Sequence, residues 1–278
     1  MSSPYGAAAG SCPLIQPVSG EFWGMHVISL NNRVFRGPAS WDELTPAQLL
    51  GLAFCTGCIS GKTKAYMAML LFSIPRRLFC RLKRYQVMQL EPLVDWVSSR
   101  NMLNRWLLPR LKIAEHRFYG PKNRLANITI EEFTYTEAAY ERYENTSDTD
   151  YLDTLVAVLY RKKAWFRGRR KFNPAKLEAG EKLARQLPRY VKLAVAINYA
   201  GCRNFIIAKH PHIWVPTEAK ADTPAPGAPT NWTQLVLNLS GDKFGTYNQT
   251  QQMNLWLVLA DFQKKAKDYA ELEARLKK

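Results

Sequence analysis

No stretch of this 278-residue chain stays apolar for the roughly 20 residues that a membrane-spanning helix needs. The most apolar segment, 49–74, is cut by Ser60-Gly61-Lys62-Thr63-Lys64 and reads as two buried helices. The opening MSSPYGAAAGSCPLIQPVSG has neither the basic start nor the continuous apolar run of a secretory leader. Residues 1–20 are expected to form a flexible tail. Cysteine is scarce. The five present (Cys12, Cys55, Cys58, Cys80, Cys202) are an odd number, which argues for free thiols in a reducing, cytoplasmic setting and against a disulfide scaffold. Acid is scarce too: 23 Asp and Glu against 39 Lys and Arg leave a net charge of +16, which favours polyanions or an acidic protein as partner.

Signatures of chemistry are equally thin. Gly57-Cys58-Ile59-Ser60-Gly61-Lys62-Thr63 resembles a phosphate-binding loop, but has one residue too few between its glycines and follows a capped helix where a strand is required. Cys55-x-x-Cys58 lacks a second ligand pair at zinc-finger spacing; Cys202, His210 and His212 are far away, and the thiols read as buried core groups. Asp148-x-Asp150-x-x-Asp153 lacks the glycine and distal Glu of a calcium loop and reads as a helix start favoured by the helix dipole. The four histidines suggest no triad, and no carboxylate pair sits in an apolar setting. No catalytic residue, cofactor or metal is expected, and the protein is not read as an enzyme.

What the chain does contain is helical periodicity. Residues 25–36 read as a hairpin turning at Asn31-Asn32, since Asn tolerates positive φ. Thr45 and Pro46 mark a helix start. Helices follow at 62–74, ended by Pro75, at 76–90, from Pro92, and around Trp106 and Leu107; 111–127 reads as a connector. Thr129-Ile130-Glu131-Glu132 is a capping box. Leu152, Leu155, Val156 and Leu159 line one face of the next helix, and 175–200 reads as a long helix bent at Pro188. PTEAKADTPAPGAPT at 216–230 reads as a linker, followed by a short helix at Trp232–Leu239 and a last one from Thr250. The expected fold is mainly α, bundle-like, with a small N-terminal hairpin. Its expected parts are the tail 1–20, a hairpin-plus-helical domain 21–215, the linker 216–230 and a C-terminal helical segment 231–278, whose detachable last helix could lie on a partner.

Charge is patterned. Residues 131–153 hold eight acids and one base, whereas RKKAWFRGRRK at 161–171 holds seven bases and no acid; a smaller basic run, RRLFCRLKR, lies at 76–84. Arg161, Lys162, Lys163, Arg167, Arg169, Arg170 and Lys171 can neutralise phosphates, and Trp165 can stack on a base, so these eight form a candidate nucleic-acid site. The alternatives are a solvated loop, a patch docking on an acidic protein, or pairing with the acidic stretch just before it.

Four phrases occur together: Trp41-Asp42-Glu43-Leu44-Thr45-Pro46-x-Gln48-Leu49, Asn127-Ile128-Thr129-Ile130-Glu131-Glu132-Phe133, Asp153-x-Leu155-Val156-Ala157-Val158-Leu159-Tyr160-Arg161 and Leu237-x-Leu239-Ser240-Gly241-Asp242-Lys243-Phe244-Gly245. Together they resemble uncharacterised tail-region (tail-assembly) proteins of Bacteroidetes phages and prophages. The resemblance implies a non-enzymatic tail-assembly or tail-structural protein, a chaperone-like binder of a tape-measure-like tail protein or of itself. It places the chain in the cytoplasm of a bacterial host cell or in the virion. The alternative function is nucleic-acid binding through 161–171.

Overall fold

The computed structural model describes residues 24–58, 63–164, 169–211, 213 and 245–276. The mainly α expectation holds: among these residues there are ten α-helices and two two-stranded antiparallel sheets. The chain divides into two compact units, residues 1–100 and 101–278, a boundary that falls inside the segment 21–215. The tail 1–20, the linker 216–230 and the expected helix Trp232–Leu239 lie outside the described residues.

The first unit opens with β1 (His26–Leu30) and β2 (Arg33–Gly37), in register Leu30↔Arg33 through His26↔Gly37. Asn31 and Asn32 make the turn with φ of 50° and 61°, the doubly left-handed geometry that matches strand twist. Ile28 and Leu30 face the interior. At the hairpin's end Gly37 lies against Phe72, whose ring atoms would stand 2.7 Å from an added Cβ. Thr45 caps α1 (Pro46–Cys58), and Gln48 reciprocates, its Oε1 accepting from the Thr45 amide at 2.9 Å. Helix α2 (Thr63–Leu71) packs on α1. Pro75 does not end it. Ser73, at φ 53°, closes a Schellman turn in which Ser73 donates to Leu70 and Ile74 to Met69. The single helix expected over 76–90 is two, α3 (Arg76–Phe79) and α4 (Arg84–Leu90), because Lys83 is extended and the buried Gln86 caps its amide. The turn after Pro92 is 3₁₀, spanning Glu91–Ser98.

The second unit begins with 101–109, where no helix forms around Trp106. That segment is tied instead to the side chains of a distant helix, α8 (Arg189–Lys209). Asn198 accepts from the Leu107 amide and donates to Arg105 O, both at 2.8 Å; Asn204 donates to Asn101 O, and Asn101 donates to Ile197 O. These bonds meet the backbone requirements that a helix would otherwise meet. The expected connector holds a hairpin, β3 (Arg110–Ile113) and β4 (His116–Tyr119), whose buried Leu111, Ile113 and Phe118 line one face.

Helices α5 (Ile130–Thr146), α6 (Asp150–Leu159) and α7 (Leu177–Ala184) follow. Pro188 separates α7 from α8 rather than bending one long helix. Helix α6 packs on α5, α7 and α8, burying Leu152, Leu155, Val156 and Leu159 as the periodicity predicts. Thr246 and Gln249 form a capping box at α9 (Tyr247–Gln251), and α10 spans Leu255–Leu276. The start of α10 is no detachable arm. Leu255, Val258 and Leu259 are buried, Ile130 donates to Met253 O, and Leu255 donates to Ile128 O. Among the described residues, no helix is long and apolar enough to cross a membrane.

Candidate anion-binding site

The described parts of the basic run, 161–164 and 169–171, are tied into the fold. Tyr119 and Arg161 exchange backbone hydrogen bonds at 2.8 and 3.2 Å, so the chain leaving α6 extends the β3–β4 hairpin. Farther on, Arg170 donates to Lys162 O at 3.1 Å, drawing the two ends of the run together. Trp165 and Arg167 lie outside the described residues.

The capping box at α5 is only half made, and its missing half explains the run. Thr129 accepts from the Glu132 amide at 3.2 Å, as expected of an N-cap. The Glu132 carboxylate, however, does not turn back to Thr129. Its Oε1 takes Arg161 Nη2 and its Oε2 takes Arg169 Nη2, both at 2.6 Å. The triad is interior: the side chains of Glu132 and Arg169 are 4% exposed and that of Arg161 is 11%. Arg161 also donates to Arg170 O and Val158 O, and Arg169 to Leu159 O. Burial, then repulsion from Arg169, lowers the Arg161 guanidinium to about 10; burial likewise lowers Arg169.

One carboxylate between two guanidiniums leaves an interior charge of plus one. Asp153, another buried acid of this unit, also has two cations, but the second, Arg185, stands 4.0 Å away with its side chain mostly exposed. Asp153 holds Lys192 at 2.7 Å, and Glu137 accepts from Arg203 and from the Tyr199 hydroxyl. The internal pairing of 161–171 with the preceding acidic stretch is thus made by Glu132, to Arg161 and Arg169.

Four residues of the run border a cavity of about 610 Å³. Arg161, Lys162, Arg170, Lys171 and, from beyond the run, Lys176 are among its lining residues. Phe118, Phe172, Ala157, Leu177 and Leu183 supply apolar wall, and Glu131 is a carboxylate on that wall. Glu131 accepts from Gln252 at 2.7 Å, and burial, then the neighbouring Glu132 charge, raises its pKa. Lys162 stands over the Phe118 ring at 6.0 Å and Arg161 over Phe172 at 5.7 Å. Arg170, Lys171, Lys176 and Lys163 are exposed. Sequence reasoning missed Glu132, Glu131 and Lys176; the signal for the first was an acid at N3 within reach of two roles.

The second basic run behaves differently. Arg76, Arg77, Arg81, Lys83 and Arg84 on α3–α4 are all exposed, and none makes an ion pair among the described residues. Tyr85 and Met88 beside them are also exposed, Met88 by 59%.

No family model, curated protein or solved structure matches this chain.

The phosphate-loop look-alike begins inside α1, where Thr56 donates to Leu52 O and Ala53 O; residues 59–62 lie outside the described residues. Cys55 and Cys202 are buried and Cys80 is exposed, and none of the three is in a disulfide. Asp148 accepts from the Asp150 amide at 3.0 Å in a turn just before α6, while Asp153 is the core partner of Lys192. Among the described residues no cluster of three His, Cys, Asp or Glu stands together to hold a metal.

Proposed function

We propose that this protein is a non-enzymatic component of phage or prophage tail assembly, working by contact with an acidic, tape-measure-like tail protein. The observation that carries the reading is the α3–α4 surface, where five exposed cations on the two short helices and the turn between them adjoin the exposed side chains of Tyr85 and Met88. Cation and apolar surface together suit an acidic protein face, where the charge steers and the apolar groups bury area. In the first three phrases that carry the family resemblance the apolar residues are interior: Leu44 and Leu49, Ile128, Ile130 and Phe133, and Leu155, Val156, Val158, Leu159 and Tyr160 are all buried, while 237–244 of the fourth lie outside the described residues. A resemblance carried by such residues speaks to a shared fold, on which each member places its own contact surface.

The second reading is nucleic-acid binding, favoured by the same five cations and by Tyr85 as a stacking platform. The full chain is co-expressed with the neighbouring tail genes and captured with and without nuclease. The expected result is recovery of one long helical tail protein that survives nuclease and falls on Arg76→Gln/Arg77→Gln/Arg81→Gln/Arg84→Gln. Recovery of nucleic acid alone, lost with nuclease or salt, overturns the assembly reading. Neutralising Arg169 is unsuitable here, since it opens the buried triad.

A further inference from the structure

We propose that the cavity between β4, α5, α6 and α7 binds a phosphate-bearing small molecule with an apolar body. The proposal is independent of the tail-assembly reading and rests on three observations within one unit. The first is charge. Glu132 is shared by Arg161 and Arg169, so the wall beside the cavity carries an unbalanced interior cation. A buried charge without a full counter-charge is costly, and an anion arriving at the cavity removes that cost. The second is donor supply. Arg161 uses one N–H of each guanidinium nitrogen on Arg170 O, Val158 O and Glu132, which leaves the second N–H of both terminal nitrogens. Lys162, Arg170, Lys171 and Lys176 border the same space, against Glu131 alone on the acidic side, and Glu131 already accepts from Gln252. More than one positive charge in excess suits a dianion, and guanidinium groups suit phosphate oxygens in particular.

The third observation is the apolar lining. Phe172 is buried and held edge-on by Tyr135 at 5.2 Å, and Phe118, Leu177 and Leu183 complete a wall that a bare inorganic ion cannot fill. A volume of about 610 Å³ lies within the range of small-molecule sites. The site therefore takes a body with carbon surface and a phosphate group, the phosphate toward Arg161 and the exposed cations. Nothing is transferred; the assignment is one of binding.

The test is titration calorimetry on the full chain at physiological ionic strength, with 1-naphthyl phosphate and inorganic phosphate as probes. 1-Naphthyl phosphate is expected to bind about tenfold more tightly than inorganic phosphate or better, because burying its rings adds hydrophobic free energy. The variant Arg170→Gln/Lys171→Gln/Lys176→Gln is expected to lose about tenfold or more in affinity. All three residues are exposed, so the fold is retained, and unchanged amide exchange across α5–α7 verifies that. The variant Arg76→Gln/Arg77→Gln/Arg81→Gln/Arg84→Gln is expected to bind as the parent does. Absence of binding, equal affinity for the two probes, binding that the cavity variant keeps, or loss in the α3–α4 variant each overturns the proposal. None of these outcomes bears on tail assembly, whose own test reads capture of a protein.

Discussion

Replacing Glu132 by Gln keeps the shape of the buried triad and removes its only negative charge. Arg161 and Arg169 then face each other with one neutral acceptor between them, in a site where the Glu132 and Arg169 side chains are 4% exposed. Removing one partner of a buried ion pair costs about 3–5 kcal/mol, because a desolvated charge is left behind. Arg161→Met is the informative contrast. It leaves Glu132 and Arg169 as a balanced pair and relieves the guanidinium repulsion, and it forfeits the hydrogen bonds to Val158 O, Arg170 O and Glu132 Oε1. At about 1 kcal/mol for each such bond, less the relief, that substitution costs roughly 1–2 kcal/mol. Native-state hydrogen exchange on the α5 amides reads the second unit by itself. Exchange is expected to accelerate by two to three orders of magnitude, or somewhat more, in Glu132→Gln, at about 1.4 kcal/mol per factor of ten. Arg161→Met should accelerate it by roughly tenfold. An Arg161→Met protein as destabilised as Glu132→Gln would refute the argument, since it would mean that the triad carries no excess charge.

Three further outcomes are expected. Gly201 lies in the helix α8, where Gly→Ala ordinarily gains about 1 kcal/mol, yet an added Cβ would stand 2.6 Å from both Asn101 Oδ1 and Leu103 O. Gly201→Ala should therefore lower stability in urea titrations by about 1–3 kcal/mol. His210 is buried against Trp256 at 5.6 Å, and burial lowers its pKa below the usual value, so the unfolded chain takes up the proton first as pH falls. Stability is then complete above pH of about 6.5 and declines as pH drops from there toward the folded pKa; Tm measured from pH 8 to 5 should fall less in His210→Phe. In the first hairpin, Asn32 sits at φ 61°. Asn32→Ala should cost about 1 kcal/mol and Asn32→Gly almost nothing, read from exchange of the β1–β2 amides.

Much of the local structure is legible in the residues themselves. Asn31-Asn32 specifies its turn because few other residues accept two positive φ values in a row. Thr45 and Thr129 announce helix starts because a hydroxyl at that position meets orphan amides within the same turn. Leu152, Leu155, Val156 and Leu159 declare their face by spacing alone. The errors share a cause. Residues 101–109 look helical around Trp106, but Asn198 and Asn204, 91 to 103 positions away, satisfy that backbone in another conformation. Leu111, Ile113 and Phe118 alternate as strands do, yet each strand is only four residues long and the signal is short.

The candidate site divides in the same way. Composition and charge patterning determine that 161–171 is a concentrated source of cations and that 131–153 is an acidic neighbour. Which cations remain available is decided only by the tertiary fold. Arg161 and Arg169 meet Glu132 from 29 and 37 residues away, while the lesser run at 76–84 keeps all its charges outside. A sequence records how many charges a segment carries. Their cost and their use depend on the dielectric and the partner at each position, and those exist only once distant segments have packed together.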